Sequence, residues 1–217
     1  TKTELIIWLA SVAVVLVSNI IAGTEPITLS ATLVGVTSLI FIAKGNVVGQ
    51  FLTVVFSVLY AITSYRMRYY GEMIPYLGMT LPSAVFAAIS WIRHPYKKGE
   101  VKISKMTPLK AVVMVLFTAA ATALFYFIMK ALDTPNLAVS TLSIATSFLA
   151  SYLTFIRNSY YAVAYAVNDI VLIILWILAA IGDISYLPMI FCFAMFLIND
   201  IYGFISWKKR EISQGLK

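Results

Sequence analysis

Eight apolar stretches, each about as long as a lipid bilayer is thick, constrain the fold of this chain more than any other feature. A transmembrane helix needs about 20 consecutive apolar residues, and in lipid only helices and closed barrels pair all their backbone polar groups. The stretches cover residues 5–22, 27–43, 47–65, 73–92, 111–129, 137–156, 160–181 and 184–207. This pattern predicts an all-α membrane protein with about eight transmembrane helices.

The composition agrees with a membrane protein and argues against several other classes. The 217 residues are 61% hydrophobic and 12% charged, whereas soluble domains are about 45–50% apolar and about 25% charged. The net charge of +7 does not indicate a nucleic-acid partner, because the basic residues cluster between the apolar stretches. A single histidine, His94, and a single cysteine, Cys192, do not make a zinc site.

The sequence also lacks the motifs of an enzyme. It has no Walker-type phosphate-binding loop, and a lone histidine in a basic loop leaves no nucleophile–base pair to propose. We therefore expect no catalytic activity, no metal and no cofactor. The first apolar stretch has no clear small-residue cleavage site, so we expect a retained span rather than a removed signal peptide.

The distribution of basic residues predicts the orientation. An even number of spans places both termini on one side of the membrane, and basic residues favour the cytoplasmic side. With both termini in the cytoplasm, thirteen basic residues lie inside: Lys2, Lys44, Arg93, Lys97, Lys98, Lys102, Lys105, Lys110, Arg157, Lys208, Lys209, Arg210 and Lys217. Only Arg66, Arg68 and Lys130 lie outside, together with the acids Glu25, Glu72, Asp133 and Asp183. We therefore expect cytoplasmic termini and a cytoplasmic basic loop over residues 94–110.

The two halves of the chain resemble each other in order. The matched pairs are Thr37-Ser38 with Thr146-Ser147, Lys44-Gly45-Asn46 with Arg157-Asn158, Gly71-Glu72-Met73-Ile74 with Gly182-Asp183-Ile184-Ser185, and Ile89-Ser90-Trp91-Ile92-Arg93 with Ile205-Ser206-Trp207-Lys208-Lys209. Four spans separate matched helices, so both copies have the same orientation, and transporters often bind substrate between such repeats. The alternative is chance similarity between apolar helices.

A repeat of this kind divides the chain into five parts. They are an N-terminal helix (residues 1–24), a first three-helix bundle (25–93), a basic loop with a linker helix (94–133), a second three-helix bundle (134–208) and a cytoplasmic tail (209–217).

Two aspartates, Asp169 and Asp200, are the only charged residues within the eight stretches. A carboxylate inside a membrane span is costly and usually lines a pathway or a binding cavity. In the seventh stretch it belongs to one helical face with Tyr161, Tyr165, Asn168 and Trp176, and Asp169 lies near mid-membrane. The alternative is that Asn168 and Asp169 only bond neighbouring helices.

Further candidates are weaker. In the eighth stretch Asn199 and Tyr202 share one face, and Asp200 lies near the cytoplasmic end, where water or basic residues could satisfy it. The third stretch offers a polar face that includes Gln50, Ser57, Tyr60 and Ser64, although Ser and Thr faces often serve packing alone. The aromatic residues Trp91, Tyr202 and Trp207 are alternatively explained as members of an interface belt.

As a set, these residues resemble the PnuC-type family of bacterial vitamin and nucleoside transporters. The resemblance covers about residues 33–207. It is carried by the segments Ala43-Lys44-Gly45-Asn46 to Tyr69-Tyr70-Gly71-Glu72, Asn168-Asp169 with Trp176, and Asn199-Asp200-Ile201-Tyr202-Gly203-Phe204 with Trp207. It implies two three-helix bundles joined by a linker helix, as in SWEET sugar transporters, and a homotrimer in the bacterial inner membrane. It also implies facilitated diffusion by alternating access, with a cytoplasmic kinase trapping the product.

One departure from the family pattern concerns the substrate. Nicotinamide riboside transporters of this family carry a W-x-x-W motif before the asparagine of the seventh span, and the equivalent positions here are Tyr161 and Ala164. Relatives carry nicotinamide riboside, thiamine, riboflavin or deoxynucleosides. Nicotinamide riboside ranks first, because an intramembrane Asp169 suits a cation. The rival from another class is a membrane subunit that binds partners and transports nothing.

Overall fold

The protein is described by a computed structural model, which covers residues 1–216 and, for Lys98, the backbone alone. Within those residues eight helical segments are long and apolar enough to cross a membrane. The helices are α1 (Lys2–Ala22), α2 (Pro26–Ala43), α3 (Val48–Arg66), α4 (Tyr70–Pro75), α5 (Leu81–Arg93), α6 (Pro108–Ala131), α7 (Leu137–Phe155), α8 (Tyr161–Gly182) and α9 (Leu187–Ser213). The predicted all-α architecture with eight spans is confirmed.

The fourth span is built from two helices and an irregular turn. Helix α4 continues through a π-helical turn over Tyr76–Thr80 into α5. The turn follows directly on Pro75, which has no backbone N–H to donate within the helix. Such π turns inside helices often mark functional sites.

Local sequence explains where several other helices begin and end. Thr1 and Glu4 form a reciprocal capping box at the start of α1, which pairs two backbone N–H groups that the helix leaves free. Pro26 and Pro108 occupy the first turns of α2 and α6, where a missing N–H costs nothing. Gly23 ends α1 in the left-handed conformation, with φ of 61°, which glycine adopts without steric strain.

The two predicted bundles pack with the same helix contacts. In the first, α3 packs against α2 and α5, and in the second, α8 packs against α7 and α9. Between the bundles, α2 packs against α9 and α5 packs against α7. These two interfaces pair matched helices with their roles exchanged, as a pseudo-twofold axis along the membrane normal requires. Helix α6 packs on α7, and α1 packs on α2 and α9.

The repeat extends to the backbone of the matched loops. Gly45 and Arg157 both adopt the left-handed conformation, with φ of 67° and 60°. The next residue in each copy makes the same turn: Asn46 Oδ1 accepts the backbone N–H of Val48 at 2.9 Å, and Asn158 Oδ1 accepts that of Tyr160 at 3.1 Å. Chance similarity between apolar helices does not explain matched loop geometry.

We call the end of the bundle that carries the chain termini and the loop of residues 94–107 the basic end. That loop is folded across the bundle: Val101 N–H donates to the Gly45 carbonyl at 2.9 Å, and Ser104 N–H donates to the Arg157 carbonyl at 2.9 Å. Val101 and Ile103 are buried beneath it. Gln214, just after α9, bonds the same two loop residues.

The structure corrects two details of the charge and aromatic assignments. Glu72 was expected in an outer loop, but α4 begins at Tyr70 and places Glu72 inside the fourth span, where it is 2% exposed. An apolar stretch counted from Met73 omits it. Trp91 and Trp207 are buried rather than part of an interface belt. The expected tail from residue 209 is in part the last turn of α9, and Lys217 lies outside the described residues.

Candidate functional site

A polar cavity lies between the two bundles, near the middle of the spans. Water-sized molecules can occupy about 60 Å³ of it, measured at their centres, which is room for several waters. Its polar lining comes from both repeats: Ser38, Gln50, Thr53, Tyr76, Thr80 and Ser83 from the first, and Ser147, Ser151, Thr154, Tyr161, Tyr165, Asn168, Asp169 and Asp200 from the second. The cavity therefore lies where a transporter with parallel repeats places its substrate.

Two carboxyl groups meet in this cavity. Asp169 on α8 and Asp200 on α9 are 2% and 3% exposed, and their side chains lie in hydrogen-bonding contact. The Oδ2 atom of Asp169 is buried and has no hydrogen-bond partner among the described residues. Of the side chains that the structure describes, no Lys, Arg or His lines the cavity. Two buried acids in contact repel each other unless a proton or another cation neutralises them, so this site suits a cation.

Amide groups flank the carboxyl pair. Asn168 Oδ1 accepts hydrogen bonds from Thr146 Oγ1 at 2.8 Å and Ser147 Oγ at 2.9 Å, which fixes the orientation of the amide. From the other bundle, Gln50 Nε2 is buried without a hydrogen-bond partner in the described chain. A buried donor without a partner costs free energy. The cavity thus presents one unsatisfied donor and one unsatisfied acceptor, from opposite repeats.

Aromatic rings cover the cavity at both ends. Toward the end opposite the basic loop, Phe56 contacts Tyr76 and Phe196, with ring centroids 5.9 and 5.4 Å apart. Toward the basic end, Tyr161 packs edge-on against Trp207 at 4.7 Å. Flat faces of this kind stack on planar ligands and attract cations.

The structure brings together six of the twelve residues proposed from the sequence: Tyr161, Tyr165, Asn168, Asp169, Asp200 and Gln50 all line the cavity. Six others lie away from its lining: Trp176, Asn199, Tyr202, Ser57, Tyr60 and Ser64. Asn199 Nδ2 donates to Ser11 Oγ on α1 at 2.9 Å, which is a contact between helices. Ser57 Oγ donates to the Thr53 carbonyl of its own helix at 2.8 Å.

Trp176 and Tyr60 bond each other instead. The Trp176 indole donates to the Tyr60 hydroxyl at 3.1 Å, and both residues are buried in an aromatic cluster toward the end opposite the basic loop. Tyr202 is half-buried and bonds Glu4 near the basic end. Ser64 is buried near the end of α3, and its Oγ has no partner among residues 1–216.

Several lining residues were not among the sequence candidates, although the repeat contained the signal. Ser38 and Ser147 are matched positions in the two copies, and both line the cavity. Phe56, which stands where Asn168 stands in the second copy, lines it too. Phe193 and Phe196 carried no polar signal, so only packing reveals them. Candidates sought on polar grounds alone miss such an aromatic wall.

Eight apolar helices, arranged as two repeats around a central polar cavity, define the chain as a membrane transporter. The family model described as nicotinamide mononucleotide transporter matches residues 25–209. The chain belongs to this family of transporters, which agrees with the expectation that it is not an enzyme.

Curated relatives and a solved structure agree with this assignment. The nicotinamide riboside transporter PnuC of Neisseria mucosa is 26% identical over 186 residues, covering 82% of this chain and 70% of the relative. PnuC of Haemophilus influenzae is 22% identical over 179 residues, covering 81% and 76%. A crystal structure of the vitamin B3 transporter PnuC superposes with a TM-score of 0.83 at 23% identity, covering 96% of this chain and 92% of that one. The resemblance inferred from the sequence motifs is confirmed.

Proposed function

We propose that this chain carries nicotinamide riboside across the bacterial inner membrane. The observation that carries the proposal is the buried pair of Asp169 and Asp200, which lines a central cavity without a described basic side chain. The pyridinium ring of nicotinamide riboside bears a positive charge, and a buried carboxylate stabilises a cation beside it. Curated relatives named for the same substrate support this choice.

The remaining groups of the cavity match the remaining groups of the ligand. The aromatic rings of Phe56, Tyr76 and Phe196 offer faces for the flat pyridinium. The free donor of Gln50 and the amide of Asn168 suit the ribose hydroxyls and the carboxamide, since buried polar ligand groups need partners. Tyr165, whose hydroxyl lies 3.3 Å from Ser151 Oγ, supplies a further polar contact.

The same lining argues against the phosphorylated substrate in the family's name. A mononucleotide carries a phosphate, and a phosphate beside two carboxyl groups is repelled unless cations separate them. Thiamine is a cation and remains the main rival as substrate. Riboflavin and deoxynucleosides are uncharged and use the carboxyl pair less well. The Tyr161 and Ala164 positions, in place of tryptophans, are where these substrates would be distinguished.

The proposed mechanism is facilitated diffusion with alternating access, followed by trapping through a cytoplasmic kinase. The cavity lies between two aromatic layers, so opening one layer at a time would expose it to one side at a time. The sequence has no Walker-type loop to couple transport to ATP. Phosphorylation adds negative charge, which would prevent the product from re-entering a cavity lined by carboxyl groups.

The proposed setting is the inner membrane, with both termini and the basic loop in the cytoplasm and with the five-part division into two SWEET-like bundles given above. The excess of basic residues at the basic end supports this orientation. We also propose a homotrimer. The surface of α6 supports it, because Val112, Val115, Leu116, Phe117 and Phe127 form an apolar exposed face that lipid or a neighbouring subunit can cover.

Uptake into proteoliposomes tests the proposed substrate. The purified chain should accumulate labelled nicotinamide riboside to equilibrium, and unlabelled nicotinamide riboside should compete better than thiamine, riboflavin, deoxynucleosides or nicotinamide mononucleotide. Preferred uptake of thiamine would reassign the substrate within the same class. No uptake and no thermal stabilisation by any of these compounds would favour a non-transporting membrane subunit.

A further inference from the structure

Glu72 forms a second buried carboxylate site, separate from the pair in the central cavity. It lies on α4 and is 2% exposed, and its Oε1 atom has no hydrogen-bond partner among the described residues. A carboxylate at this depth in a span has a high desolvation cost and is usually functional. The site described above does not include it, since Glu72 does not line the central cavity.

A hydrogen-bonded relay orients the Glu72 carboxylate. The Trp176 indole N–H donates to the Tyr60 hydroxyl at 3.1 Å, and the Tyr60 hydroxyl in turn donates to Glu72. This arrangement uses the donors of Tyr60 and Trp176, yet it leaves one oxygen of Glu72 unsatisfied. That oxygen is the atom with which a ligand would pair.

Aromatic faces surround this carboxylate. Tyr69 stacks on Trp176 with ring centroids 5.0 Å apart and an interplanar angle of 38°, and Tyr186 stacks on Trp176 at 5.6 Å and 43°. The hydroxyl of Tyr69 accepts a hydrogen bond from Asn136 Nδ2 at 3.2 Å, which ties the cluster to the loop before α7. A carboxylate among tyrosine and tryptophan faces has the composition of a site for an organic cation.

The position of this cluster connects it to the central cavity. Tyr60 lies against Tyr76, with ring centroids 4.1 Å apart, and Tyr76 lines the central cavity. The Tyr76 ring therefore separates the two carboxylate sites. It also begins the π-helical turn after Pro75, where the backbone departs from regular helix and can move more readily than a straight span.

We propose that Glu72, with Tyr60, Tyr69 and Trp176, forms a second binding site for an aromatic monocation, at the end of the pathway opposite the basic loop. This inference rests on the proposed function, because it takes the transported cation as the occupant. The ligand passes from Glu72 to Asp169 when Tyr76 and the π-helical turn move aside. The two acidic sites would then act in series.

Equilibrium binding of N-methylpyridinium, a minimal aromatic monocation, tests the proposal without requiring transport. The wild-type chain in detergent should bind two cations per chain. Glu72→Gln and Asp169→Asn should each bind one, while Glu72→Asp, which keeps the charge, should bind two. Asp183→Asn is the matched control, because it removes an exposed carboxylate near the same end and should leave both sites intact. Equal stoichiometry in the wild type and in Glu72→Gln would overturn the proposal.

Uptake measurements give a second readout. In Glu72→Gln the KM for nicotinamide riboside should rise about 30-fold or more, the loss expected for removing one buried charge partner. The KM for reduced nicotinamide riboside, which has a similar shape and no charge, should not change. An equal loss for both substrates would indicate a structural role and reject the site. A wild-type chain that binds two cations but transports neither compound would reject the proposed function and leave the second site in place.

Should Glu72→Gln fail to fold, Trp176→Phe provides the same decision. A pyridinium stacked near Trp176 should quench part of the tryptophan fluorescence, and the quenched part should disappear in Trp176→Phe. Unchanged quenching in that variant would place the cation elsewhere and overturn the proposal.

Discussion

Trp91 and Trp207 make the same hydrogen bond in the two repeats, each to the other bundle. The Trp91 indole donates to the Thr154 carbonyl at 2.9 Å, and the Trp207 indole donates to the Ile42 carbonyl at 2.8 Å. The two rings meet at the pseudo-twofold axis, 5.4 Å apart. Their neighbours repeat the pattern, since Ser90 Oγ bonds the Phe155 carbonyl at 2.7 Å and Ser206 Oγ bonds the Ala43 carbonyl at 2.8 Å. This clamp joins the bundles at the basic end.

Replacing either clamp tryptophan by phenylalanine should therefore destabilise the protein to a similar degree. Each change leaves a carbonyl unpaired, which costs about 1–3 kcal/mol. Trp8→Phe is the control, because its indole bonds Thr37 Oγ1 at 3.2 Å on the outer helix α1. Thermal unfolding in detergent should show lower melting temperatures for Trp91→Phe and Trp207→Phe than for Trp8→Phe. A large difference between the two clamp variants would contradict their equivalence.

Arg157 occupies a position that favours glycine, and its repeat partner is Gly45. A non-glycine residue in the left-handed region costs about 1–2 kcal/mol. The side chain offsets this cost with hydrogen bonds to Ser90 Oγ at 2.6 Å and the Lys102 carbonyl at 3.0 Å. Burial lowers the pKa of its guanidinium, but arginine stays charged near neutral pH.

Two substitutions separate the backbone and side-chain effects at Arg157. Arg157→Ala loses the hydrogen bonds and keeps the strain, whereas Arg157→Gly loses the bonds and relieves it. We expect Arg157→Gly to be more stable than Arg157→Ala by about 1 kcal/mol, measured by thermal unfolding. The reverse order would show that the left-handed conformation is not retained in solution.

Much of the fold was predictable because it depends on features that a sequence displays directly. Apolar stretch length predicted eight spans, and ordered matches predicted the repeat. Glu72 was missed because the apolar stretch was counted from Met73, while the helix begins a turn earlier and continues through a π-helical turn. Helical periodicity grouped Trp176 with Asp169 on one face, but it could not show that Trp176 bonds Tyr60 on α3. Contacts between helices depend on rotation and depth, which periodicity leaves open.

The proposed orientation can be tested by cysteine labelling in a Cys192→Ser background. Cys192 is the only cysteine in the sequence and is buried. Cysteines at Lys97 and Ser213, both exposed at the basic end, should resist a membrane-impermeant thiol reagent in whole cells. A cysteine at Pro135, exposed at the opposite end, should react. Glu72 is unsuitable as the outer probe because it is buried. Labelling at Lys97 from outside would overturn the orientation.

Asn168 and Asn199 should respond differently to replacement by alanine, although both are buried amides in membrane spans. Asn168 lines the cavity, so Asn168→Ala should weaken nicotinamide riboside binding. Asn199 joins α9 to Ser11 on α1, so Asn199→Ala should lower the melting temperature and leave affinity nearly unchanged. Ligand titration and thermal unfolding of both variants check this contrast. Equal affinity losses would show that α1 helps to shape the site.

Asp169→Asn is the most direct test of the cavity. If the pair with Asp200 neutralises a cationic ligand, removal of one charge should reduce affinity by about 2–5 kcal/mol, while the folded protein persists. The new amide can still hydrogen-bond Asp200 and relieves the repulsion between two acids, so the melting temperature of the ligand-free protein should hold or rise. Asp200→Asn should behave similarly, and Asp183→Asn, at an exposed position, should have no effect.

The combination of ligand affinity and melting temperature separates three roles for Asp169. Weak binding with an unchanged melting temperature indicates contact with the cation. Normal binding with early melting indicates a bond between helices alone. Normal binding with the loss of any response to a pH gradient in proteoliposomes indicates that the carboxyl pair carries a proton during transport. We expect the first result, because the unpaired Oδ2 of Asp169 lies in the cavity wall.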